Sequence, residues 1–160
     1  MVLPLPVMNP CYLCEIVEGA SSRWNVIEQS ELTMTVLNGR QFEIGQCMVL
    51  PLRHAPTLID LTEREGAAIM GAAKRLMSVM VRGFGPDGVL LYQNNGTGSG
   101  QEVPHFHLHV VPRRPNSDWG FGPPHLARAT AGARPPHLDH AVVTDSKLRT
   151  VEELRRYFAA

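Results

Sequence analysis

Val103–Val111 reads VPHFHLHVV, and a glycine-rich run, NNGTGSGQ, leads into it from Asn94. Phe106, Leu108 and Val110 occupy one parity of this stretch, and His105, His107 and His109 occupy the other. Side chains alternate faces along a strand, so the pattern predicts a β-strand that presses an apolar face into a core. Its opposite face would then carry three imidazoles in a row. Next-but-one side chains on a strand sit roughly 6.5–7 Å apart. Two of the histidines can therefore flank one phosphate-sized group, or contribute to one or two metal sites. A strand with merely solvated histidines is the plainer alternative, and for one histidine it would suffice. Three in register mark a functional strand.

Outward from that strand, the chain divides by period and by turn residues. Met1–Pro10 is expected to be a loose arm, and Cys11–Glu18 a short helical turn that presents two thiols the same way. Asn25–Glu28 and Leu32–Leu37 read as a hairpin broken at Gln29–Glu31, the second run being rich in β-branched residues. After a loop over Asn38–Gln46, Cys47–Leu52 is a short apolar strand. Thr62 and Glu65 form a capping box, and Ile69, Met70, Ala73, Leu76, Met77 and Met80 recur at helical spacing. This helix is expected to run from Thr62 to about Arg82, stopping at Gly83 and Gly85-Pro86. Its methionines read as core filler. Gly88–Gln93 is the next strand, followed by a glycine-rich turn into the histidine strand.

After Arg113 the chain is rich in Pro, Gly and Arg to about Pro136 and shows no clear element. A last short helix is expected at Val151–Phe158, with Val151, Leu154 and Phe158 on one side. Five strands joined mostly by tight turns, with one long helix, give an α+β fold built on an antiparallel sheet. The organisation is one domain over 1–160: the arm at 1–10, a core at 11–113, and an irregular tail at 114–160 ending in the short helix.

The chain's 160 residues suffice for one proper core and are too few for two. Fifteen basic and fifteen acidic residues leave no broad positive field for a nucleic-acid backbone. Three cysteines, as Cys11-x-x-Cys14 and a lone Cys47, fit a metal site better than a disulfide framework. MVLPLPVM at the N-terminus is apolar, yet it has two prolines, no basic flank and too little length to span a bilayer. These features predict a soluble protein of a reducing compartment, the cytoplasm, with neither nucleic acid nor membrane as partner.

The chemistry begins with an anion. Gly96, Gly98 and Gly100 can bring backbone N–H groups close to a phosphate, since no Cβ obstructs the approach. Gln101 would add a neutral side-chain donor beside Gly100. A central histidine flanked by two others suits covalent catalysis, because neutral imidazole attacks phosphorus and the phospho-imidazole is open to water. Some backbone carbonyl or neighbour must then hold the tautomer that leaves the attacking nitrogen unprotonated. A Cys11-x-x-Cys14 pair joined by two histidines would make a complete tetrahedral zinc set with no open position, hence a structural one, although no finger spacing links the pair to any histidine. Two buried thiols in an ordinary N-terminal segment are the other reading. Cys47 reads as a small core residue. His125, His137 and His140 read as solvated, whereas Trp119, in SDWGFG, can stack on a base or anchor its loop.

The run His105-Phe-His-Leu-His-Val-Val111, with GQEV before it and PRR after it, resembles the signature of the histidine triad (HIT) superfamily. The likeness covers Cys11 to Arg113, about two-thirds of the chain, and is strongest to the fragile-histidine-triad and bacterial HIT branches. It implies the same α+β sheet and adds a homodimer in which two sheets join edge to edge. It assigns the nucleophile to His107, the contact with the phosphate and its bridging oxygen to His109, and orientation or metal binding to His105. It also implies a structural zinc on Cys11, Cys14, His54 and His105, because many bacterial HIT proteins have this cysteine pair and a histidine after LPLR. Asn94, Gly100, Gln101, Glu102 and His109 fall in the substrate site. Asn38 aligns with an acidic position that meets ribose hydroxyls, where the fragile-histidine-triad branch also has Asn; a turn-forming Asn before Gly39 explains it as well. Glu102 departs from the Ser or Thr common at its position. Ionised, it can only accept hydrogen bonds, so it acts as an acid with a raised pKa, binds a basic group of the substrate, or points away.

The function that follows is nucleotidyl hydrolysis or transfer at an α-phosphate through a nucleotidyl-His107 intermediate. LPLR, Asn38 and the closing LRRYF favour diadenosine polyphosphate hydrolysis. CYLCEIVEGA has the look of bacterial relatives and favours hydrolysis of adenylated amines, that is, of adenosine phosphoramidates. Phosphorolysis, with phosphate in place of water, stays open. No basic extension follows to support a DNA-end deadenylating role. A zinc- or nucleotide-binding module without catalysis is the rival from another class, and the intact three-histidine register argues against it.

Overall fold

The computed structural model describes residues 2–21, 23–41, 43–114 and 145–159. Trp119, His125, His137 and His140 lie outside those residues. Helix α1 (Tyr12–Glu18) is followed by strands β1 (Val26–Gln29), β2 (Thr33–Leu37) and β3 (Cys47–Pro51). Helix α2 (Glu63–Phe84), strands β4 (Gly88–Tyr92) and β5 (Leu108–Arg113), and helix α3 (Asp145–Ala159) complete the order. The five strands form one sheet in the order β1-β2-β3-β5-β4, and every neighbouring pair is antiparallel.

The sheet separates two cores. Leu37, Cys47, Val49, Leu108 and Val110 face α2 and α3, whose Ile69, Leu76, Met80, Val151 and Leu154 complete the larger one. Met34, Val36, Met48 and Leu50 point the other way and are capped by Cys11, Leu13 and Ile16 at α1. This two-sided covering is why all five residues of β2, and all five of β3, are buried. Leu76 is fully buried; truncating it to Ala would cost about 2–5 kcal/mol. The N-terminal face therefore holds α1, and the same face carries the residues paired with Met48. His109 is its partner across β3 and β5.

Four sequence expectations change. The helix expected to end near Arg82 continues through Gly83 to Phe84. A Cβ on Gly83 would come within 2.8 Å of the Tyr157 ring; that glycine admits α3 rather than ending α2. The helix stops at Gly85, whose left-handed backbone (φ 54°) supplies the cap. The C-terminal helix is fifteen residues and begins at Asp145 rather than at Val151, where the short helix was expected to start. The arm is not loose throughout: the Pro4 carbonyl accepts the Thr97 N–H at 2.8 Å.

The fourth change concerns the histidine segment, where strand β5 begins only at Leu108. Val49 pairs with Leu108 and Tyr92 with His109, so pairing to both neighbours ends there. Pro104 has no N–H to give, and the Phe106 N–H goes to the Ala55 carbonyl at 2.6 Å. Alternation nevertheless persists, since Phe106 lies in the same core as Leu108 and Val110. His105 and His107 thus precede the strand, and one of the three expected histidines, His109, belongs to it.

Candidate active site and metal centre

His107 and His109 stand edge to face, with ring centroids 4.9 Å apart. Each imidazole is held by a different kind of partner. His107 Nδ1 lies 2.8 Å from the His105 carbonyl oxygen. A carbonyl can only accept, so Nδ1 carries the hydrogen and Nε2 keeps its lone pair. Burial pulls the His107 pKa below the usual imidazole range, while that hydrogen bond and the Glu102 carboxylate oppose it. A neutral ring with an available Nε2 lone pair is the form that attacks phosphorus.

His109 has the opposite arrangement. The Gln46 amide nitrogen is 3.2 Å from its Nδ1, and the same amide donates to the Tyr92 hydroxyl at 3.4 Å. A donor at Nδ1 places the hydrogen on Nε2, and that Nε2–H can meet a phosphate oxygen or a departing atom. The Tyr92 ring stacks on His109 at 4.3 Å and 15°. Gln46 is fully buried, so its amide is fixed by its surroundings. Neither Gln46 nor Tyr92 was singled out from sequence. Gln46 shares the parity of Met48 and Leu50, which marks it as facing the histidines once β3 is known to lie beside β5.

His105 turns away from this pair and toward the N-terminal segment. Its Nε2 lies 3.0 Å from the Pro51 carbonyl, which leaves the Nδ1 lone pair toward the Cys14 sulfur, 3.4 Å away. Burial pulls its pKa down to about 4. Cys14 Sγ is 3.1 Å from His54 Nδ1, and one donor atom from each of Cys11, Cys14, His54 and His105 lies within 4.8 Å of every other. Zinc bonds of about 2.0–2.3 Å put tetrahedral donors about 3.3–3.8 Å apart. Two thiols and two imidazoles, with Cys14 Sγ 3.1 and 3.4 Å from the two rings and no donor pair beyond 4.8 Å, are a donor set that could close on that ion with small side-chain movements. Burial, reinforced by Cys11, pushes the Cys14 thiol up to about 12; a divalent cation would hold it as thiolate. Arg53 braces the same corner, giving Nε and Nη2 to the two Glu65 carboxylate oxygens at 2.9 and 2.7 Å. Cys47 stays apart, buried in β3, its thiol held protonated by burial.

The remaining expected site residues divide. Gln101 does not present a donor to a ligand: its Nε2 donates to the carbonyls of Pro56 and Val103 at 2.7 and 2.8 Å, and its Oε1 accepts the Gly96 N–H at 2.7 Å. It closes the turn from inside. The turn's amides are likewise largely engaged, since Thr97–Ser99 is a 3-10 turn and the Gly100 N–H bonds the Thr97 carbonyl at 3.0 Å. Gly96 is needed for its backbone (φ 80°) and for the approach of Pro4, whose oxygen would be 3.1 Å from a Cβ. Asn94 donates to the Gly100 carbonyl at 3.4 Å. Asn38 accepts the Arg40 N–H on its Oδ1 at 3.0 Å, so it does form the turn. Glu102 is paired with Arg40, Oε2 to Nη1, at 2.8 Å; the basic group it binds belongs to its own chain.

The chain is 30% identical over 112 residues to the adenosine 5'-monophosphoramidase hnt1 of Schizosaccharomyces pombe, covering 70% of this chain and 80% of that protein. It is 33% identical over 85 residues to the bis(5'-adenosyl)-triphosphatase of Dictyostelium discoideum, covering 53% of this chain and 57% of that one. A zinc-bound histidine triad family protein from Mycobacterium smegmatis superimposes with a TM-score of 0.72 at 27% identity, over 94% of both chains. The HIT domain model matches residues 21–116, and the chain belongs to the HIT family.

Proposed function

We propose that this protein hydrolyses nucleotides at the α-phosphate through a covalent nucleotidyl-His107 intermediate. One observation carries the reading: adjacent imidazoles held in complementary tautomers, an acceptor nitrogen on His107 and a donor nitrogen on His109. The Nε2 lone pair of His107 forms a bond to the α-phosphorus. The bond from phosphorus to the leaving group breaks and its electrons depart with the leaving atom, to which the His109 Nε2–H donates a hydrogen bond; a phosphate departs as the anion, and an amine departs with a proton taken from solvent. A water oxygen then attacks the same phosphorus and loses a proton to solvent. The phosphorus–nitrogen electrons return to His107, releasing the nucleoside monophosphate. Asn38 serves the ribose side. Diadenosine polyphosphates are the preferred substrates, supported by the Dictyostelium relative. Adenosine phosphoramidates are the second reading, supported by the fission-yeast relative.

A structural zinc on Cys11, Cys14, His54 and His105 belongs to this proposal. When bound it would fasten the N-terminal segment to the backbone at His105, the carbonyl that orients His107. So does a homodimer. Strand β4 is a sheet edge, and an apolar groove beside it is lined by Met70, Ala73, Met77, Val81 and Leu91. An unpaired apolar edge of this kind is usually covered.

The test compares AMP release from diadenosine triphosphate and from a fluorogenic adenosine phosphoramidate. His107→Ala is expected to lose several powers of ten in turnover on both while retaining AMP binding. A nucleotide adduct trapped in acid should map to His107. Substantial turnover by the variant, or an adduct on another residue, refutes the proposal.

A further inference from the structure

We infer that Tyr92 is a positioning residue for His109: its ring sets the plane of that imidazole, and its hydroxyl holds the Gln46 amide that fixes the tautomer. The inference rests on the hydrolase reading above and adds a residue to it.

A histidine ring has no strongly preferred plane of its own, because rotation about the bond to an sp2 ring is broad. At His109 the surroundings must supply one. Tyr92 and His109 are opposite each other in the antiparallel pairing of β4 with β5, which brings their side chains up side by side from one face of the sheet. Their ring centroids are 4.3 Å apart and the planes lie 15° from parallel. His107 stands against the same imidazole at 83° and 4.9 Å. Both Tyr92 and His109 are half-buried, so close packing on every side does not hold these rings, and the stack carries that task.

The amide supplies the second constraint. Gln46 Nε2 has two hydrogens to give, and two acceptors are at hand: His109 Nδ1 at 3.2 Å and the Tyr92 hydroxyl oxygen at 3.4 Å. The amide nitrogen thus sits at the junction of the two stacked rings. The Nδ1 lone pair lies in the imidazole plane, and hydrogen bonds weaken steeply as they bend. An imidazole that tilts off Tyr92 loses its alignment with the amide, and with it the bias toward Nε2–H. The ring therefore acts on the donor through orientation, and the hydroxyl acts on it through Gln46. A tyrosine that merely filled the end of an edge strand would need neither the parallel stack nor the shared amide.

Leaving groups differ in how much they draw on a well-placed Nε2–H. A strongly basic atom, such as the nitrogen of an aliphatic amine, accepts a strong hydrogen bond as it departs. A nitrophenolate leaves without that help. Loss of Tyr92 should fall on the first and spare the second.

The test compares kcat/KM, which reports events up to departure of the leaving group, for an alkylamine phosphoramidate and a nitrophenyl ester of AMP. Tyr92→Leu is expected to lower the phosphoramidate value about three- to tenfold, the range set by the strength of an aromatic pair. The ester should change less than about twofold, which also reports a folded variant with His107 in place. Tyr92→Phe keeps the ring and should recover all but about a factor of two of the loss. In a Gln46→Met background that remaining factor should vanish, since the hydroxyl acts through the amide. Nitrogen NMR should show His109 moving from the Nε2–H form toward a tautomer average in Tyr92→Leu and staying close to wild type in Tyr92→Phe. An equal loss on both substrates, no loss on either, a Tyr92→Phe as slow as Tyr92→Leu, or a hydroxyl effect that persists without Gln46 would overturn the inference. If the wild type releases AMP from neither substrate, the hydrolase reading fails separately. The NMR comparison then decides for Tyr92 alone, and an unchanged tautomer in Tyr92→Leu refutes its role.

Discussion

Gln46→Met isolates what the buried amide contributes to His109. Methionine nearly matches the volume of glutamine but brings no N–H, so the ring loses the donor at Nδ1 and little packing. The bond is 3.2 Å long, beyond the usual 2.9–3.0 Å optimum, so the lower part of the net range applies, about 0.5–1 kcal/mol. That energy is the bias toward the Nε2–H tautomer, and losing it should reduce kcat about two- to fivefold with little change in KM. Removing the donor outright in His109→Ala should cost on the order of a hundred- to a thousandfold. The small effect has a signature that simple destabilisation lacks. It should be largest for a basic leaving group, which depends most on the Nε2–H donor, and vanish for an acidic phenol ester of AMP. Steady-state kinetics over a leaving-group series reads it directly, and nitrogen NMR of the imidazoles reads the tautomer. A wild-type His109 with its hydrogen on Nδ1, or an equal loss for all leaving groups, would refute the reasoning.

Three further outcomes are expected. Protein prepared without added zinc should contain about one zinc per chain, and Cys14→Ala should lose both the metal and thermal stability, because a structural site contributes directly to folding; a metal-free protein of unchanged melting temperature removes the site. Glu65→Gln should destabilise the fold at neutral pH by about 1–2 kcal/mol, a value discounted because Arg53 is half-exposed. Arg53 chiefly, with Thr62, lowers the Glu65 pKa from 4.5 to about 2. Its stabilisation is therefore complete above 4.5 and is lost as pH falls toward 2. Denaturation of both proteins across that window should show the gap closing, and a gap independent of pH would contradict it. Light scattering at micromolar concentration should give a dimer mass, and Leu91→Glu should shift it toward monomer; a monomeric wild type sinks the β4 interface.

What could be seen in the sequence was governed by the range of the interaction. Phe106, Leu108 and Val110 announce their common face through a period of two, and that periodicity survives even where pairing does not. Thr62 and Glu65 announce a helix start three residues apart, and the helix begins there. The start of α3 gave no such signal: DSKLRT is mostly polar, its buried positions are Lys147 and Thr150, and the apolar buried positions, Val151 and Leu154, come only after it. The strand limit at Leu108 depends on where β3 and β4 end, distant segments that local alternation does not report. Gln101 shows the same limit from another side. Its position beside Gly100 placed it near the histidines, but direction depends on contacts with Gly96, Pro56 and Val103, and these turn the amide inward. The metal set became readable through resemblance, since no local spacing joins Cys11 and Cys14 to His54 and His105.

The active-site tautomers lie further still from local sequence, and they explain why the sheet order matters to the chemistry. His107 draws its partner from two residues away, through a backbone carbonyl that any residue at 105 could offer. His109 needs the side chain of Gln46, the residue that leads into β3, and the ring stacked on it comes from β4. These two strands reach the same histidine because β5 lies between them: Met48 is opposite His109 on one side and Tyr92 on the other. A chain that placed β4 beside β3 would keep every histidine and its alternation. It would lose the opposed donor and acceptor on which the proposed mechanism relies.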